Sequence, residues 1–204
     1  NSLLREIALL GEELRNKFNV SHIHFGVGTP SILRGAELWM IMLSIKKNFN
    51  ILENCEIAME IDPRFYKKNL TTILNKYGFN RISIGVQDFS KDVQTLTNRI
   101  QSFKTTKKIV QHFRENKISN INIDLMYGLP KQTVRTFSDT LKKIVTLEPD
   151  RISIFGYGHV PWKKKHQKLI GDGLLNNESR LKFYQLASRY FLSNGYEAFG
   201  IDHY

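Results

Sequence analysis

The 204 residues include 30 lysines and arginines against 19 aspartates and glutamates, so the formal net charge is +11. This length suffices for one domain with a buried core, and the charge suits an anionic partner such as nucleic acid, a membrane surface or a polycarboxylate, without choosing among them. The single cysteine, Cys55, excludes a disulfide framework and any multi-cysteine metal site within the chain.

The predicted elements alternate along the chain between helix and strand. Apolar residues at helical spacing indicate a first helix over about 2–17. Further helices are expected over about 34–48, 64–77, 104–117, 133–147 and 177–194. Strands are expected at 21–26, 56–62, 81–87, 120–128, 151–159 and 197–202. Such alternation is typical of βα units around a parallel sheet, which leaves a barrel and a doubly wound sheet as alternatives.

Both ends of the chain suggest that it is part of a longer protein. It begins at Asn1 rather than at a methionine, and it stops at Tyr204 directly after a strand-like segment. Because it opens on a helix, we expect a first strand upstream of Asn1 that is missing from this chain. No apolar run approaches the ~20 residues of a membrane span, and no signal peptide is evident, so we expect a cytoplasmic protein without a membrane span.

Polar residues and glycines follow every predicted strand. In parallel α/β folds, ligands bind at the carboxyl ends of the strands, so these residues predict one shared site. In chain order they are Gly26, Val27, Gly28 and Thr29; Glu60 and Asp62; Gln87 and Asp88; Asp124, Tyr127 and Gly128; Tyr157, Gly158 and His159; and Asp202 and His203.

Several of these residues also admit purely structural interpretations. Gly28 could serve a tight turn, Glu60 could belong to a solvated ion pair, and Arg99 could be a surface cation at a helix start. Asp124 differs, because an unpaired carboxylate inside the strand pattern "NINIDLMYG" would be costly. A functional or a paired role is therefore expected for Asp124.

Seven segments make a family resemblance recognisable. They are "EIDP", "RISIGVQDF", "VQTLTNRIQSF", "NIDLMYGLPKQT", "PDRISIFGYGHVPW", "HQKLI" and "GIDHY". Over nearly its whole length the chain resembles the oxygen-independent coproporphyrinogen III oxidases of the radical S-adenosylmethionine (SAM) superfamily. The related haem-chaperone branch shares "RISIGVQ" and "LMYGLP". It typically lacks the aspartate of "QDF" and the following "NR", which favours the oxidase branch.

The resemblance implies an α/β fold, a partial (β/α) barrel of the radical SAM type with parallel strands. Residues 1–204 would then be an incomplete radical SAM core, without the N-terminal cluster loop and the C-terminal domain. The family binds a [4Fe–4S] cluster through a Cys-x-x-x-Cys-x-x-Cys loop after its first strand. Since Cys55 alone cannot hold a cluster, its ligands are expected outside this chain. No metal ligand and no catalytic residue is assigned within it.

The activity that the resemblance implies is the decarboxylation of two propionates of coproporphyrinogen III to vinyl groups, which gives protoporphyrinogen IX in haem biosynthesis. Members hold two SAM molecules, and reductive cleavage of SAM gives a 5′-deoxyadenosyl radical that abstracts a propionate hydrogen. The expected partners are this substrate and an electron donor. The full-length protein is expected to be a monomer that binds no nucleic acid.

The family's cofactor residues can be carried over by position. Val27, through its main chain, and Glu60 would contact the cluster-bound SAM. The second SAM would be contacted by Gly28, Thr29, Gln87, Arg99, Asp124 and Gly158. The chemistry is suitable, because a zwitterionic cofactor needs carbonyls for its ammonium group and a cation for its carboxylate, and carboxylates can bind ribose hydroxyls. We therefore expect Glu60, Gln87, Arg99 and Asp124 to line one cavity.

One position departs from the family pattern Gly-Gly-Gly-Thr-Pro. Val27 replaces the middle glycine. If that position needs a positive φ, or if the cofactor packs against its Cα atom, valine costs ~1–3 kcal/mol.

Two other interpretations stay open at this stage. The chain could be a non-catalytic haem- or tetrapyrrole-binding relative, or a decayed pseudoenzyme. The charge of +11 also admits a nucleic-acid-binding or other anion-binding module, although no RNA- or DNA-reading motif supports it.

Overall fold

The computed structural model describes residues 2–15, 17–26, 28–170 and 173–204, apart from the side chains of His166 and Leu169. In these residues, α-helices and β-strands alternate, except that two helices follow one another between the third and fourth strands. In chain order the elements are α1 (Ser2–Leu14), β1 (Asn19–Phe25), α2 (Gly35–Asn48), β2 (Asn50–Ile61), α3 (Lys68–Lys76), β3 (Arg81–Gln87), α4 (Lys91–Leu96), α5 (Phe103–Glu115), β4 (Asn120–Tyr127), α6 (Val134–Val145), β5 (Arg151–Gly156) and α7 (Asn177–Ser193). Short 3₁₀ helices occupy Pro30–Ile32 and Lys165–Ile170.

The strands form one sheet in the order β1-β2-β3-β4-β5 among the described residues. β1 runs parallel to β2, and β4 runs parallel to β5. In β4, Ile121, Ile123 and Leu125 are fully buried, as expected for strands of a parallel sheet whose faces are covered by helices. None of the described helices is both long and apolar enough to cross a membrane.

The chain divides into two compact units, of which the first comprises residues 1–83 and 112–119. In this unit α1 crosses α2 closely at Gly11, where a Cβ atom would lie only 2.5 Å from the Cβ atom of Asn48. β1 and β2 are in register from His22–Glu56 to Phe25–Met59, with an irregularity between Val20 and His22. An ion pair between Arg81 and Glu56 (2.7 Å) joins the start of β3 to β2.

The second unit comprises residues 84–111 and 120–204. Its helices α6 and α7 pack through the rings of Phe137 and Phe183, whose centroids lie 5.3 Å apart. Both side chains are buried. α6 begins with a capping box, in which Thr133 Oγ1 accepts a hydrogen bond from the Thr136 amide.

The predicted parallel strand over 197–202 is wrong. Gly200 has a φ of +68°, and the Phe199 amide donates to the His203 carbonyl, so the chain turns at this point. The following residues pair antiparallel with β5: the Ile152 and Tyr204 amides each donate to the other's carbonyl. The glycine reverses the chain where alternation of side chains had suggested a strand.

Other differences concern boundaries. β2 begins at Asn50 rather than 56, because its first residues pair with Asn19 and Val20 of β1. The helix predicted over 64–77 begins at Lys68. The turn before it is held by Arg64, which donates to both carboxylate oxygens of Asp62. α4 was not predicted, because its six residues are too few for a helical period to show.

Candidate functional site

In the first unit, the predicted ligand Glu60 lies next to a histidine. The His24 Nε2 and Glu60 Oε1 atoms are 3.2 Å apart, and both side chains are partly exposed. β1 places His24 opposite Ala58, and Glu60, two residues further, faces the same side of β2. A Cβ atom on Gly26 would lie 2.6 Å from Glu60 Oε1 and 2.7 Å from His24 Nε2. Glycine at position 26 is therefore what allows the pair to approach the backbone.

The loop after β1 contains three further predicted ligands. Gly28 has a φ of +84°, and a Cβ atom there would meet nothing within 4 Å, so the turn conformation alone favours glycine. The Thr29 carbonyl accepts a hydrogen bond from the Ile32 amide (3.1 Å) and so begins the 3₁₀ helix. Val27 lies outside the described residues, and the role assigned to it stays a prediction.

In the second unit, β3 ends on Gln87, which has a φ of +67°. This left-handed conformation is uncommon for a residue with a side chain. The Gln87 side-chain oxygen, Oε1, is buried and accepts no hydrogen bond from the described part of the chain. A buried carbonyl oxygen of this kind normally has a donor, so its environment suits a ligand that brings one.

Arg99 reaches back over the same strand. Its Nη2 atom donates to the Gly85 carbonyl oxygen (2.9 Å). A Cβ atom on Gly85 would lie 2.7 Å from Arg99 Nη2 and 3.2 Å from Gln87 Nε2. Gly85 thus forms a cradle in which the guanidinium and amide groups lie together, which brings two of the predicted ligands to one place.

Two buried glutamines hold the loop that carries Arg99. Gln94 Nε2 donates to the carbonyls of Asp88 (2.8 Å) and Gln101 (2.7 Å), and its Oε1 accepts from the Gln101 amide (3.0 Å). Gln101 Nε2 in turn donates to the Gly85 carbonyl (3.1 Å). Arg99 is half-buried in this fixed loop, which argues against the surface-cation interpretation.

Asp124 is half-buried on β4. Its Oδ1 accepts a hydrogen bond from Asn122 Nδ2 (2.7 Å), and Asn122 Oδ1 accepts one from Ser153 Oγ (3.2 Å) on β5. The carboxylate is therefore paired, as the cost of burial requires.

Gly158 is exposed after β5, and a Cβ atom there would meet nothing within 4 Å. Its carbonyl accepts a hydrogen bond from Gln167 Nε2 (3.0 Å). Packing among the described residues does not require glycine at position 158, and the ligand contact assigned to Gly158 stays a prediction.

Other polar residues at strand ends hold loops together. Asp62 binds Arg64 bidentately, and this carboxylate raises the pKa of the arginine. The Tyr157 hydroxyl lies 3.2 Å from His159 Nδ1. Sequence reasoning missed His24 and Gly85. The signal for Gly85 was the glycine inside "RISIGVQ", since a glycine within a strand often marks a close approach.

The residues do not fit an iron–sulfur cluster. The chain has one cysteine; Cys55 is buried on β2, and desolvation raises the pKa of its thiol. Within the described ranges, no group of three or more His, Cys, Asp or Glu side chains could hold a metal ion.

Comparison with known families and proteins gives consistent matches. Residues 2–144 match the model of the radical SAM superfamily. An oxygen-independent coproporphyrinogen III oxidase of Bradyrhizobium diazoefficiens is 42% identical over 204 residues, all of this chain and 45% of the relative. One of Escherichia coli is 40% identical over 187 residues, 91% of this chain and 41% of the relative. The chain thus spans less than half the length of these relatives.

A solved structure shows the same fold. Coproporphyrinogen III oxidase from Escherichia coli, described as a radical SAM enzyme, superposes with a TM-score of 0.91 at 38% identity. The superposition covers 98% of this chain and 46% of the other. The predicted partial (β/α) barrel with parallel strands is therefore confirmed.

Proposed function

Because this chain belongs to the radical SAM superfamily, we propose that it is part of an oxygen-independent coproporphyrinogen III oxidase. The observation that carries the proposal is 42% identity, along the whole chain, to a relative of that name. The reaction would convert two propionates of coproporphyrinogen III to vinyl groups. Each propionate would lose a hydrogen atom, an electron and carbon dioxide.

Two features of the second unit support a SAM site. The buried Gln87 Oε1 has no donor within the described chain, and SAM carries an ammonium group and ribose hydroxyls that can donate to it. The Gly85 cradle holds the Arg99 guanidinium beside Gln87, and a guanidinium is suited to the methionyl carboxylate. Bound SAM would supply the one-electron oxidant that removes a hydrogen atom from the substrate.

The other proposed contacts follow the family pattern. Asp124 and Gly158, with Gly28 and Thr29, would complete the site of the second SAM. Glu60, oriented by His24, and the main chain of Val27 would contact the SAM that binds the cluster. The proposed task of these residues is to bind and orient the two molecules and to exclude water.

The remaining partners are part of the same proposal. A cluster held by cysteines outside this chain would need an electron donor. The protein is proposed to act in the cytoplasm as a monomer, without a nucleic-acid partner.

The test uses the full-length protein, purified anaerobically with its cluster reconstituted. It is incubated with coproporphyrinogen III, SAM and a reductant, and products are oxidised and identified by porphyrin fluorescence and mass. The expected result is protoporphyrin, with loss of two carboxyl groups per molecule. Binding of the tetrapyrrole without decarboxylation, in a preparation with an intact cluster, would instead identify a non-catalytic relative.

A further inference from the structure

A buried carboxylate follows the left-handed residue Gln87. Asp88 is only 1% exposed. Its Oδ1 accepts hydrogen bonds from the Ser90 amide and from Thr140 Oγ1 (3.1 Å), and its Oδ2 accepts one from Gln132 Nε2 (2.6 Å). The proposed chemistry leaves this group without a role, since its oxygens are occupied by protein donors.

Gln132 extends the connection to the next strand. Besides Asp88, its Nε2 donates to the Met126 carbonyl near the end of β4 (2.8 Å), and its Oε1 accepts from the Leu129 amide (3.1 Å). Both N–H donors of this buried amide are therefore used, and its carbonyl oxygen has a donor. The amide joins the ends of β3 and β4, which carry the predicted ligands Gln87 and Asp124.

Gln87 needs such support. A positive φ and a buried carbonyl oxygen without a donor each cost free energy, and such features persist where the surrounding structure holds them in place. Asp88 anchors the backbone directly after Gln87: its carboxylate is fixed by the three donors, and its own carbonyl accepts from Gln94 Nε2 (2.8 Å). Gln94 also holds the loop of Arg99.

We propose that Asp88 and Gln132 are positioning residues for the second SAM. They fix the turn after β3 so that the side-chain oxygen of Gln87 is presented to the ligand, and they set the ends of β3 and β4 relative to one another. The inference rests on the proposed function, in which Gln87 and Asp124 bind that molecule. Neither Asp88 nor Gln132 touches SAM.

The test measures equilibrium binding of labelled SAM to full-length, cluster-reconstituted protein. Gln132→Glu is nearly isosteric and places a second carboxylate against Asp88, whereas Asp88→Asn places an amide donor against Gln132 Nε2. Each change is expected to weaken one of the two SAM sites roughly 10-fold or more and to leave the other unchanged. The double variant Asp88→Asn/Gln132→Glu restores a donor–acceptor pair with one negative charge and should regain part of the lost affinity.

Thr133→Ala is the matched control on α6. It removes the helix cap and should lower the melting temperature without changing either SAM affinity. The inference is supported if each single variant loses affinity at one SAM site only and the double variant regains part of that affinity. Suppose that the wild type binds two SAM molecules and oxidises coproporphyrinogen, and that both single variants bind SAM as tightly as the wild type. That result would overturn the inference and leave the proposed function standing. A wild type with a single SAM site, or a Gln87→Ala variant with unaltered binding, would overturn the inference together with the second-site assignment.

Discussion

At the scale of single residues, Gly85 has a sharp steric requirement next to the predicted ligand Arg99. A Cβ atom on it would lie 2.7 Å from Arg99 Nη2, the end of a flexible side chain that can move away. Gly85→Ala is therefore expected to weaken SAM binding roughly 10-fold while changing the free energy of unfolding by less than ~1 kcal/mol. Isothermal titration and chemical denaturation of the full-length protein measure the two quantities.

Arg99→Met provides the control for this mechanism. If Gly85→Ala acts by displacing the guanidinium, the double variant should bind SAM no more weakly than Arg99→Met alone. Additive losses would show that the alanine disturbs the site by a route other than Arg99.

Asp88 leads to a prediction about pH. Desolvation raises the pKa of this carboxyl, although donors from Gln132, Ser90 and Thr140, together with the charge of Lys143, act in the opposite direction. Since its pKa is higher in the folded than in the unfolded state, its contribution to stability is fully present below the unfolded pKa and is lost as pH rises through the folded pKa.

Urea denaturation of the wild type and Asp88→Asn over an acidic pH series tests this sign. The free energy of unfolding of the wild type minus that of the variant should be largest at the acid end and should fall as pH rises. A difference that grows with pH would mean that the donors outweigh desolvation.

At the scale of elements, the crossing of α1 and α2 depends on Gly11. Alanine is favoured over glycine inside a helix by up to ~1 kcal/mol, but a Cβ atom here would lie 2.5 Å from the Asn48 Cβ atom and 2.8 Å from the Asn48 carbonyl oxygen. Backbone cannot move aside as a side chain does. Gly11→Ala is therefore expected to lower the free energy of unfolding by ~1–3 kcal/mol.

Gly35→Ala at the start of α2 is the comparison. Its Cβ atom would approach only the flexible end of Ile73, at 3.3 Å, so its effect on the same denaturation curve should be smaller. A Gly11→Ala variant as stable as the wild type would show that α1 can shift along α2 without cost.

Elements with strong local patterns could be predicted from sequence. β3 was predicted with its bounds, Arg81–Gln87, and β4 to within one residue, because buried aliphatic side chains alternate along both strands. The segment 197–202 failed because "EAFGID" has strand-like alternation, whereas a positive φ at Gly200 and pairing with β5 decide its structure. The sequence pattern around a turn does not reveal the direction of the next strand.

At the scale of the whole molecule, β1 has a partner strand on one side only in the described residues. An edge strand presents unpaired backbone groups that invite association. We expect the 204-residue chain alone to self-associate or to be marginally stable, and sedimentation velocity with thermal melting tests this. Ser21→Lys, an exposed charge on β1, should reduce association; a monomer with a reversible melt far above mesophilic values would contradict the prediction.

The sequence supplied candidate ligands for the site but not the residues that hold those ligands in place. The polar residues at strand ends pointed to Gln87 and the family resemblance added Arg99, and the structure brings these two side chains together at Gly85. The amide contacts of Gln94 and Gln132 were missed: the bond from Gln132 to Asp88 joins segments distant in sequence, and the contacts of Gln94 depend on how an irregular loop folds back on itself.

The antiparallel pairing of residues 202–204 with β5 also affects when β5 can complete its hydrogen bonds during synthesis. Ile152 and Tyr204 are hydrogen-bonded to each other, and the Tyr204 ring packs on Phe191, yet all of α7 is synthesised between the two partners. A ribosome adds roughly 5–20 residues per second, so β5 waits on the order of several seconds before its last partner is made. During that interval the edge of β5 is open on the nascent chain, and we expect chaperones to bind the nascent polypeptide at this stage.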